Sequence, residues 1–270
     1  IGNLEDITLR QLRILKEVDI IVAEDTRHTL KLLNFYNIKN KLISYHEHNK
    51  NYKGNEILKM LQDGKNIALV TDAGMPGISD PGEDLIKLCR DNNIVVTSAP
   101  GPTAVITALV LSGLKCNKYI FEGFLSDDKK EKNKVLDRIS HETRTVVLYE
   151  APHNIIKTLK LLEDTIGGDR IISIVRELTK KYEEIITKSI SQMIEYFSSI
   201  EPKGEFVIVI SGEDEEIQKK EEINKWLDMS VEDHMKIYLE NGLQVKEAIK
   251  LVSRDRNVPK REIYNIVMKK

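Results

Sequence analysis

Short runs of β-branched and aliphatic residues alternate with amphipathic stretches along most of the 270-residue chain, and this alternation constrains the fold more than any other feature. In the first half, the runs that predict strands are residues 19–25, 41–46, 66–71 and 94–99. Between the second and third of these runs, Ile57 and Leu61 share one face of a predicted helix that stops at Gly64. Strand–helix–strand repetition favours a parallel sheet covered by helices on both faces.

The second half of the chain has more strands per helix. The pattern pauses at residues 114–119 and then gives strand-forming runs at residues 119–124, 143–150, 170–177, 183–188 and 205–211. Fewer helical crossovers allow fewer parallel pairs, so we predict a mixed sheet in this half. The expected fold class is α/β. We predict a first α/β domain at residues 1–115, a second at 116–212, and a C-terminal part at 213–270 that begins with a charged linker or helix start.

The C-terminal part predicts three short helices. Ser230 is placed to cap a helix that runs to Glu240, with Asp233 at the reciprocal capping position. A turn containing a glycine leads into a second helix at residues 244–257, and Pro259 is placed to open a third. The arrangement resembles a helix-turn-helix unit.

The charge pattern bears on possible partners. Charged residues make up 31% of the chain but the formal net charge is only −2, so attraction to a polyanion has to come from local patches. Residues 246–270 form such a patch, with eight Lys/Arg against three Asp/Glu. Two interpretations of this patch stay open at this point, a nucleic-acid contact and an ordinary capping helical bundle.

The remaining bulk features favour a cytoplasmic protein. Cys89 and Cys116 lie in unrelated contexts, which predicts neither a disulfide framework nor a zinc site and fits a reducing compartment. No run approaches the roughly 18 apolar residues of a membrane span, and the first residues lack the charged-then-apolar pattern of a signal peptide. The sequence begins at Ile1 rather than at a methionine, so we expect that an N-terminal piece is missing.

The loop at residues 70–82 follows a predicted strand and is rich in glycine and proline. Its glycines, at positions 74, 77 and 82, match neither the phosphate-binding P-loop nor the dinucleotide-binding pattern, and Pro76 and Pro81 remove amide donors that an anion nest would need. A ligand can therefore lie against main-chain atoms, and exposed carbonyls suit a ligand with positive charge. The alternative interpretation is a wide turn with Asx-type caps.

Other loops that follow strands are also polar or rich in Gly and Pro. They lie at residues 24–29, 45–49, 99–104, 149–154 and 176–184, and Gly204 comes just before the last strand. Since ligands of α/β sheets bind beyond the carboxyl ends of the strands, these loops are interpreted as two walls of one cleft. His46 and His48 have a spacing seen in some metal sites, but no carboxylate or cysteine cluster accompanies them, so no metal is predicted.

Nine motifs in register resemble one known family. They are GNLED, AEDTRHT, HEHN, DAGMPGISDPG, PGPTA, EGFL, YEAPH, RELTK and KGEF. In this order they resemble the tetrapyrrole methylase superfamily, and within it the ribosomal RNA small subunit methyltransferase I branch. The resemblance covers residues 1–212, and the C-terminal helices are similar to the helix-turn-helix extension of that branch.

The resemblance implies an enzyme and its methyl donor. It implies a homodimer that binds S-adenosylmethionine, folded, in a cleft between two α/β domains, and that methylates the 2′-oxygen of a cytidine ribose in the decoding region of 16S rRNA, free or in the assembled small ribosomal subunit. The donor contacts carried over from the motifs are Gly74, Met75, Ile78, Ser79, Thr103, Ala104, Tyr149, Leu178, Gly204 and Glu205.

The acceptor chemistry is expected near the ends of the first two strands. A ribose hydroxyl is a poor nucleophile, so a general base or strong positioning is needed. Asp25 is the first choice for the base, with Arg27 holding a phosphate or the acid itself. His46 and Glu150 are further catalytic candidates, and Glu24 and Glu177 are weaker ones.

Two departures from the family pattern and two rival functions accompany this interpretation. The family has a Thr-Pro pair just before the first motif, which this sequence does not include, and Asn154 stands where the branch usually has arginine.

One rival function is that of a corrin-type tetrapyrrole methyltransferase, which would share the fold and the donor. The other is a non-catalytic ribosome-assembly factor that binds RNA without transferring a methyl group.

Overall fold

The computed structural model describes residues 1–214, 223–226 and 228–268. The chain divides into two compact units, one made of Ile1–Ile139 with Arg144–Ser211 and the other of Ser140–Thr143 with the chain from Gly212 onward. Both β-sheets lie in the first unit. The domain boundaries predicted at residues 115 and 212 stay predictions, and most of the predicted charged linker, residues 215–222, lies outside the described part of the chain.

The first sheet is parallel, as predicted. It contains β1 (Ile20–Ala23), β2 (Lys41–Ser44) and β3 (Ile67–Val70) in the order β2-β1-β3. All four residues of β1 are buried, because this strand is central and has helices on both faces. The helices of this half are α1 (Leu9–Glu17), α2 (Thr26–Phe35), α3 (Lys50–Gln62), α4 (Glu83–Asp91) and α5 (Ala104–Leu111), preceded by a 3₁₀ turn at Leu4–Asp6.

The strand predicted at residues 94–99 is wrong. This segment forms no strand, and it has no ladder partner among the described residues. Ile94 packs under the first sheet, but Val95 is 93% exposed and Val96 is 43% exposed. β-branched residues favour an extended backbone, but a strand also needs a neighbour whose backbone groups pair with its own, which the sequence pattern does not report.

The second sheet is mixed, as predicted. It contains β4 (Tyr119–Phe124), β5 (Thr145–Glu150), β6 (Ile171–Arg176), β7 (Glu184–Ser189) and β8 (Phe206–Ile210) in the order β4-β5-β8-β6-β7. Only β4 and β5 pair in parallel, and the other three pairings are antiparallel. Helices α6 (Lys129–Ser140), α7 (Ile155–Ile166) and α8 (Ile190–Ser198) accompany it. β8, the last strand along the chain, is central in the sheet and buried at every residue, which explains its continuous apolar run.

The C-terminal unit contains the three predicted helices, α9 (Val231–Glu240), α10 (Val245–Asp255) and α11 (Lys260–Met268). Ser230 caps α9 by accepting the Asp233 N–H at 3.0 Å. The core of the C-terminal unit contains the buried residues Met235, Ala248, Ile249, Val252 and Ile263. None of the helices described above is both long and apolar enough to cross a bilayer.

Candidate functional site

The glycine-rich loop at residues 70–82 reaches from the first sheet toward the second. Gly74, Gly77 and Ser79 have left-handed backbone conformations, and the Ile78 N–H closes a turn on the Met75 carbonyl at 3.2 Å. Across the cleft, a bulge in β4 gives Gly123 a φ of +69°, and a Cβ on this residue would lie 3.1 Å from Ser79 Oγ. A side chain at this point of β4 would therefore push the loop away from the second sheet.

Tyr149 lies near the end of β5 on the opposite side of the cleft. Its ring packs edge-on against Phe121 and Phe124, with centroid distances of 5.0 and 5.5 Å. Burial raises the pKa of Tyr149, and so does the charge of Asp80, while a hydrogen bond from the Val105 N–H opposes the rise. The same Tyr149 side chain is therefore close to the glycine-rich loop and to the first turn of α5, where Thr103 and Ala104 lie.

A second junction joins the ends of β6 and β8. Two hydrogen bonds join Glu177 and Glu205. The Glu177 N–H donates to the Glu205 carbonyl at 3.0 Å, and the Glu205 N–H donates to the Glu177 side chain at Oε1, also at 3.0 Å. Lys180 Nζ is 2.9 Å from Glu177 Oε1 and 3.2 Å from a Glu205 carboxylate oxygen. A Cβ on Gly204, where φ is +95°, would lie 2.4 Å from Glu177 Oε1, so only glycine fits. Leu178 is buried beside this junction.

Asp25 and His46 follow paired strands. The Tyr45 N–H donates to the Ala23 carbonyl at 2.8 Å, which continues the β1–β2 pairing and sets the two loops side by side. His46 Nε2 lies 3.1 Å from Asn49 Nδ2, whereas its Nδ1 has no partner among the described residues.

The Asp25 carboxylate is hydrogen-bonded to Arg27. It accepts the Arg27 N–H at 2.8 Å and caps α2, and both of its oxygens accept hydrogen bonds from the Arg27 guanidinium. These hydrogen bonds hold the pKa of Asp25 well below its usual range. Asp72 accepts the Asp25 N–H at 3.3 Å and lies 3.1 Å from His28 Nδ1. The ligand atoms of Asp25, His28 and Asp72 lie within 4.8 Å of one another. Because Arg27 already neutralises one carboxylate, this cluster has ion-pair partners of its own, and the absence of a bound metal stays a prediction.

Asp80 is the acid that the sequence analysis missed. Burial raises its pKa to about 6, a hydrogen bond from Thr71 opposes the rise, and the charges of Glu24 and Asp72 add to it. The Thr71 hydroxyl donates to Glu24 Oε2 at 2.7 Å. A hydroxyl has one hydrogen, so Glu24 and Asp80 compete for the same donor. The signal in the sequence was that Asp80 is one of the two aspartates, with Asp72, in a loop made mostly of small and apolar residues.

Glu150 has a structural role in this geometry. The residue is 7% exposed, and its two carboxylate oxygens accept the Ala151 N–H at 2.7 Å and the Thr158 hydroxyl at 2.5 Å. It therefore ties β5 to α7. Its predicted catalytic role is untested, and any such role would require these bonds to break. Asn154 begins α7 without a side-chain cap.

Known proteins resemble this chain in sequence and in fold. A model of the family described as Tetrapyrrole (Corrin/Porphyrin) Methylases matches residues 1–194. A protein of Bacillus subtilis named ribosomal RNA small subunit methyltransferase I is 46% identical over 265 residues, which cover 98% of this chain and 90% of that protein. The chain belongs to the ribosomal RNA small subunit methyltransferase I family, within the tetrapyrrole methylases.

Other members of this family are similar over different lengths. A Synechocystis protein of the same name is 41% identical over 98% of this chain and 94% of its own length, and one from Thermotoga maritima is 44% identical over 79% of this chain and 96% of its own. Among solved structures, the cobalt precorrin-4 methyltransferase CbiF has a TM-score of 0.60 at 16% identity, covering 78% of this chain and 90% of that one. At this identity the likeness concerns the fold alone, and it confirms the predicted α/β class.

Proposed function

We propose that this chain transfers a methyl group from S-adenosylmethionine to the 2′-oxygen of a cytidine ribose in the decoding region of 16S rRNA. The observation that carries the proposal is the identity of 46% over 98% of the chain to a protein named ribosomal RNA small subunit methyltransferase I. The geometry is consistent with the proposal, because the loops that the family resemblance assigns to the donor come from both sheets and approach each other at Ser79 and Gly123.

The residues of the cleft fit the donor. When bound, S-adenosylmethionine supplies a methyl group on a positively charged sulfonium. The loop has a left-handed backbone at Gly74 and Ser79, and the Tyr149 ring close to this loop offers an aromatic surface for the positive charge. The proposed donor-binding residues are Gly74, Met75, Ile78, Ser79, Thr103, Ala104, Tyr149, Leu178, Gly204 and Glu205.

Proton removal from the ribose hydroxyl falls to one of the acids beyond β1 and β3. A base works best when its pKa is near the operating pH. Asp25, the first choice from the sequence, is tied to Arg27 and is a weak base in this state. Asp80 is the stronger base by this criterion. We propose that Arg27, whose side chain is 86% exposed, binds an RNA phosphate while Asp25 holds it in position.

RNA contact is also proposed for the C-terminal unit. Lys246, Lys250 and Arg254 repeat at four-residue intervals on the exposed face of α10, opposite the buried Ala248 and Val252. Cations on one helix face provide a local positive surface on a chain whose net charge is only −2.

A homodimer is proposed as the working assembly. Ile106 and Val110 lie one turn apart on α5 and are 44% and 66% exposed. Apolar side chains grouped in this way are typical of a surface that a second protein covers. Light scattering coupled to gel filtration measures the molar mass in solution, and a monomer at micromolar concentration would contradict the proposed homodimer. A substrate in the small ribosomal subunit would place the enzyme in the cytoplasm.

The decisive experiment is transfer of a radiolabelled methyl group from S-adenosylmethionine to small ribosomal subunits that lack the modification. Label in the ribose of a single 16S cytidine is the expected result. Naked 16S rRNA in a parallel reaction identifies which form is the substrate. Label on a corrin-type tetrapyrrole but not on RNA would support the first rival function, and binding to the subunit without transfer would support the second.

A further inference from the structure

A shallow basic depression, called the basic hollow, lies along one exposed face of α6 and is largely open to solvent. It has a volume of about 650 Å³ and is lined by Lys129, Lys130, Asn133, Lys134 and Asp137. The three lysines are exposed, and none of them forms an ion pair within the described residues. Asp137 is the one carboxylate of the lining, so the lining carries a net positive charge, while Asp127, Asp128 and Glu131 adjoin it at the start of α6.

Two of these lysines occupy positions that do not favour the helix. Lys129 and Lys130 lie in the first turn of α6, where the helix dipole favours acidic residues and disfavours cations. The start of the helix is already satisfied without them, because the Glu131 N–H donates to Asp128 Oδ1 at 2.9 Å and Glu131 accepts the Ser126 hydroxyl at 2.9 Å. The two lysines are therefore not explained by helix stability, whereas an anion bound in front of them would offset their unfavourable position.

The hollow lies close to the donor side of the cleft. β4 ends at Phe124, whose ring is 5.5 Å from that of Tyr149, and α6 begins five residues later at Lys129. Five residues of extended chain span at most about 18 Å. The loop between them is also held, since the Asp128 N–H donates to Ser126 Oγ at 3.1 Å. A long polyanion bound at the cleft can therefore reach the hollow.

We propose that this basic hollow binds the phosphate backbone of the RNA whose ribose enters the cleft. The inference rests on the proposed function and assigns it a substrate-binding surface in the catalytic unit, apart from the C-terminal helices. Lysine ammonium groups on flexible stems bind phosphates as point charges without fixed geometry. Such contacts position the RNA without reading its sequence, and Asn133 adds an amide that donates to a phosphate or a 2′-hydroxyl.

The test is a triple variant, Lys129→Gln, Lys130→Gln and Lys134→Gln, called the hollow variant. The probe is a transcript of the 16S decoding region, and its Kd is measured at several salt concentrations. Each lysine that contacts a phosphate adds about 1 to the slope of log affinity against log salt. The hollow variant should therefore lower that slope by about 3, with its largest loss of affinity at low salt. The KM for RNA should rise while kcat and the Kd for S-adenosylmethionine stay unchanged.

A matched control removes the same charge elsewhere. Lys115 and Lys118 precede β4 at the opposite end of the sheet, and Lys160 lies in the middle of α7; all three are exposed. Their Gln variants should bind the transcript with an unchanged salt slope.

Three results would count against the assignment or its basis. Equal slopes and affinities for the hollow and control variants would overturn it. Weaker binding to small subunits with unchanged binding to the naked transcript would overturn it too, because it would identify an acidic protein surface as the partner. If the unsubstituted enzyme neither binds nor methylates either RNA, the proposed function itself fails.

Discussion

Asp80→Asn is expected to abolish most of the methyl transfer while leaving the protein folded. Asp80 is half-buried beside Thr71, with Glu24 and Asp72 close enough to act on it electrostatically. Its pKa of about 6 is the property that makes it the stronger general base. An amide of the same shape cannot accept the ribose proton, so the rate of the chemical step should fall by about 10²–10⁴-fold.

The pH dependence of the single-turnover rate of the unsubstituted enzyme gives a second test of Asp80. With a pKa of about 6, Asp80 is about nine-tenths ionised at pH 7 and about one-tenth ionised at pH 5. The single-turnover rate should therefore fall about tenfold between these two values if Asp80 is the base. Asp25, whose pKa lies well below its usual range, stays ionised throughout this interval and would give a flat profile.

The assay is single-turnover methyl transfer at saturating donor, measured from pH 5 to pH 8 for the parent enzyme and the variant. Thermal unfolding is the control. Because the pKa of Asp80 is raised in the fold, its ionised form is disfavoured there, and replacing it with a neutral amide should not lower the unfolding midpoint at pH 7. A flat profile for the parent, or a variant that keeps more than about a tenth of its activity, would refute the assignment.

Three further predictions concern other parts of the molecule. Asp25→Asn should abolish methylation because Arg27 loses its main carboxylate partner. Calorimetry should find the affinity for S-adenosylmethionine unchanged, and an active variant would show that Asp25 is not part of the catalytic site. Gly204→Ala should lower the free energy of unfolding by about 1–3 kcal/mol in denaturant titrations and weaken donor binding, since its Cβ would meet Glu177 at a left-handed φ. Wild-type values for both would contradict the role of the junction between Glu177 and Glu205. Burial and the charge of Arg256 lower the pKa of His234 from 6.5. The contribution of His234 to stability is therefore full above pH 6.5 and is lost as the pH falls toward the folded-state pKa. Circular dichroism of the helices should detect this loss of stability, and His234→Gln should remove its pH dependence.

Much of the fold could be predicted from the sequence because its signals are local. Period-two and continuous apolar runs located eight strands, and the ratio of strands to helices distinguished the parallel sheet from the mixed one. The segment at residues 94–99 has the same β-branched composition, but it lacks a pairing partner among the described residues. Whether a partner exists is a property of the tertiary structure.

The site was predictable as a set of loops but not as a set of roles. Asp80 acquires its raised pKa mainly from burial, and the charges of Glu24 and Asp72, which β1–β3 pairing brings near each other, add to the rise. Glu150 looks like a catalytic acid in the sequence, yet Thr158, eight residues later, takes one of its oxygens. Asp25 is bonded by the arginine two residues after it, a contact the sequence allowed but did not specify.

The central position of β8 has a consequence for motion. β5 and β8 have neighbours on both sides and form the most deeply buried part of the second sheet, whereas the first turn of α2 is exposed and held by its own side chains. Local opening of that turn requires far fewer buried contacts to break, so its amides should exchange with deuterium much sooner than those of β5. On warming, the turn of α2 that holds Arg27, the proposed phosphate contact, should therefore open before the second sheet does.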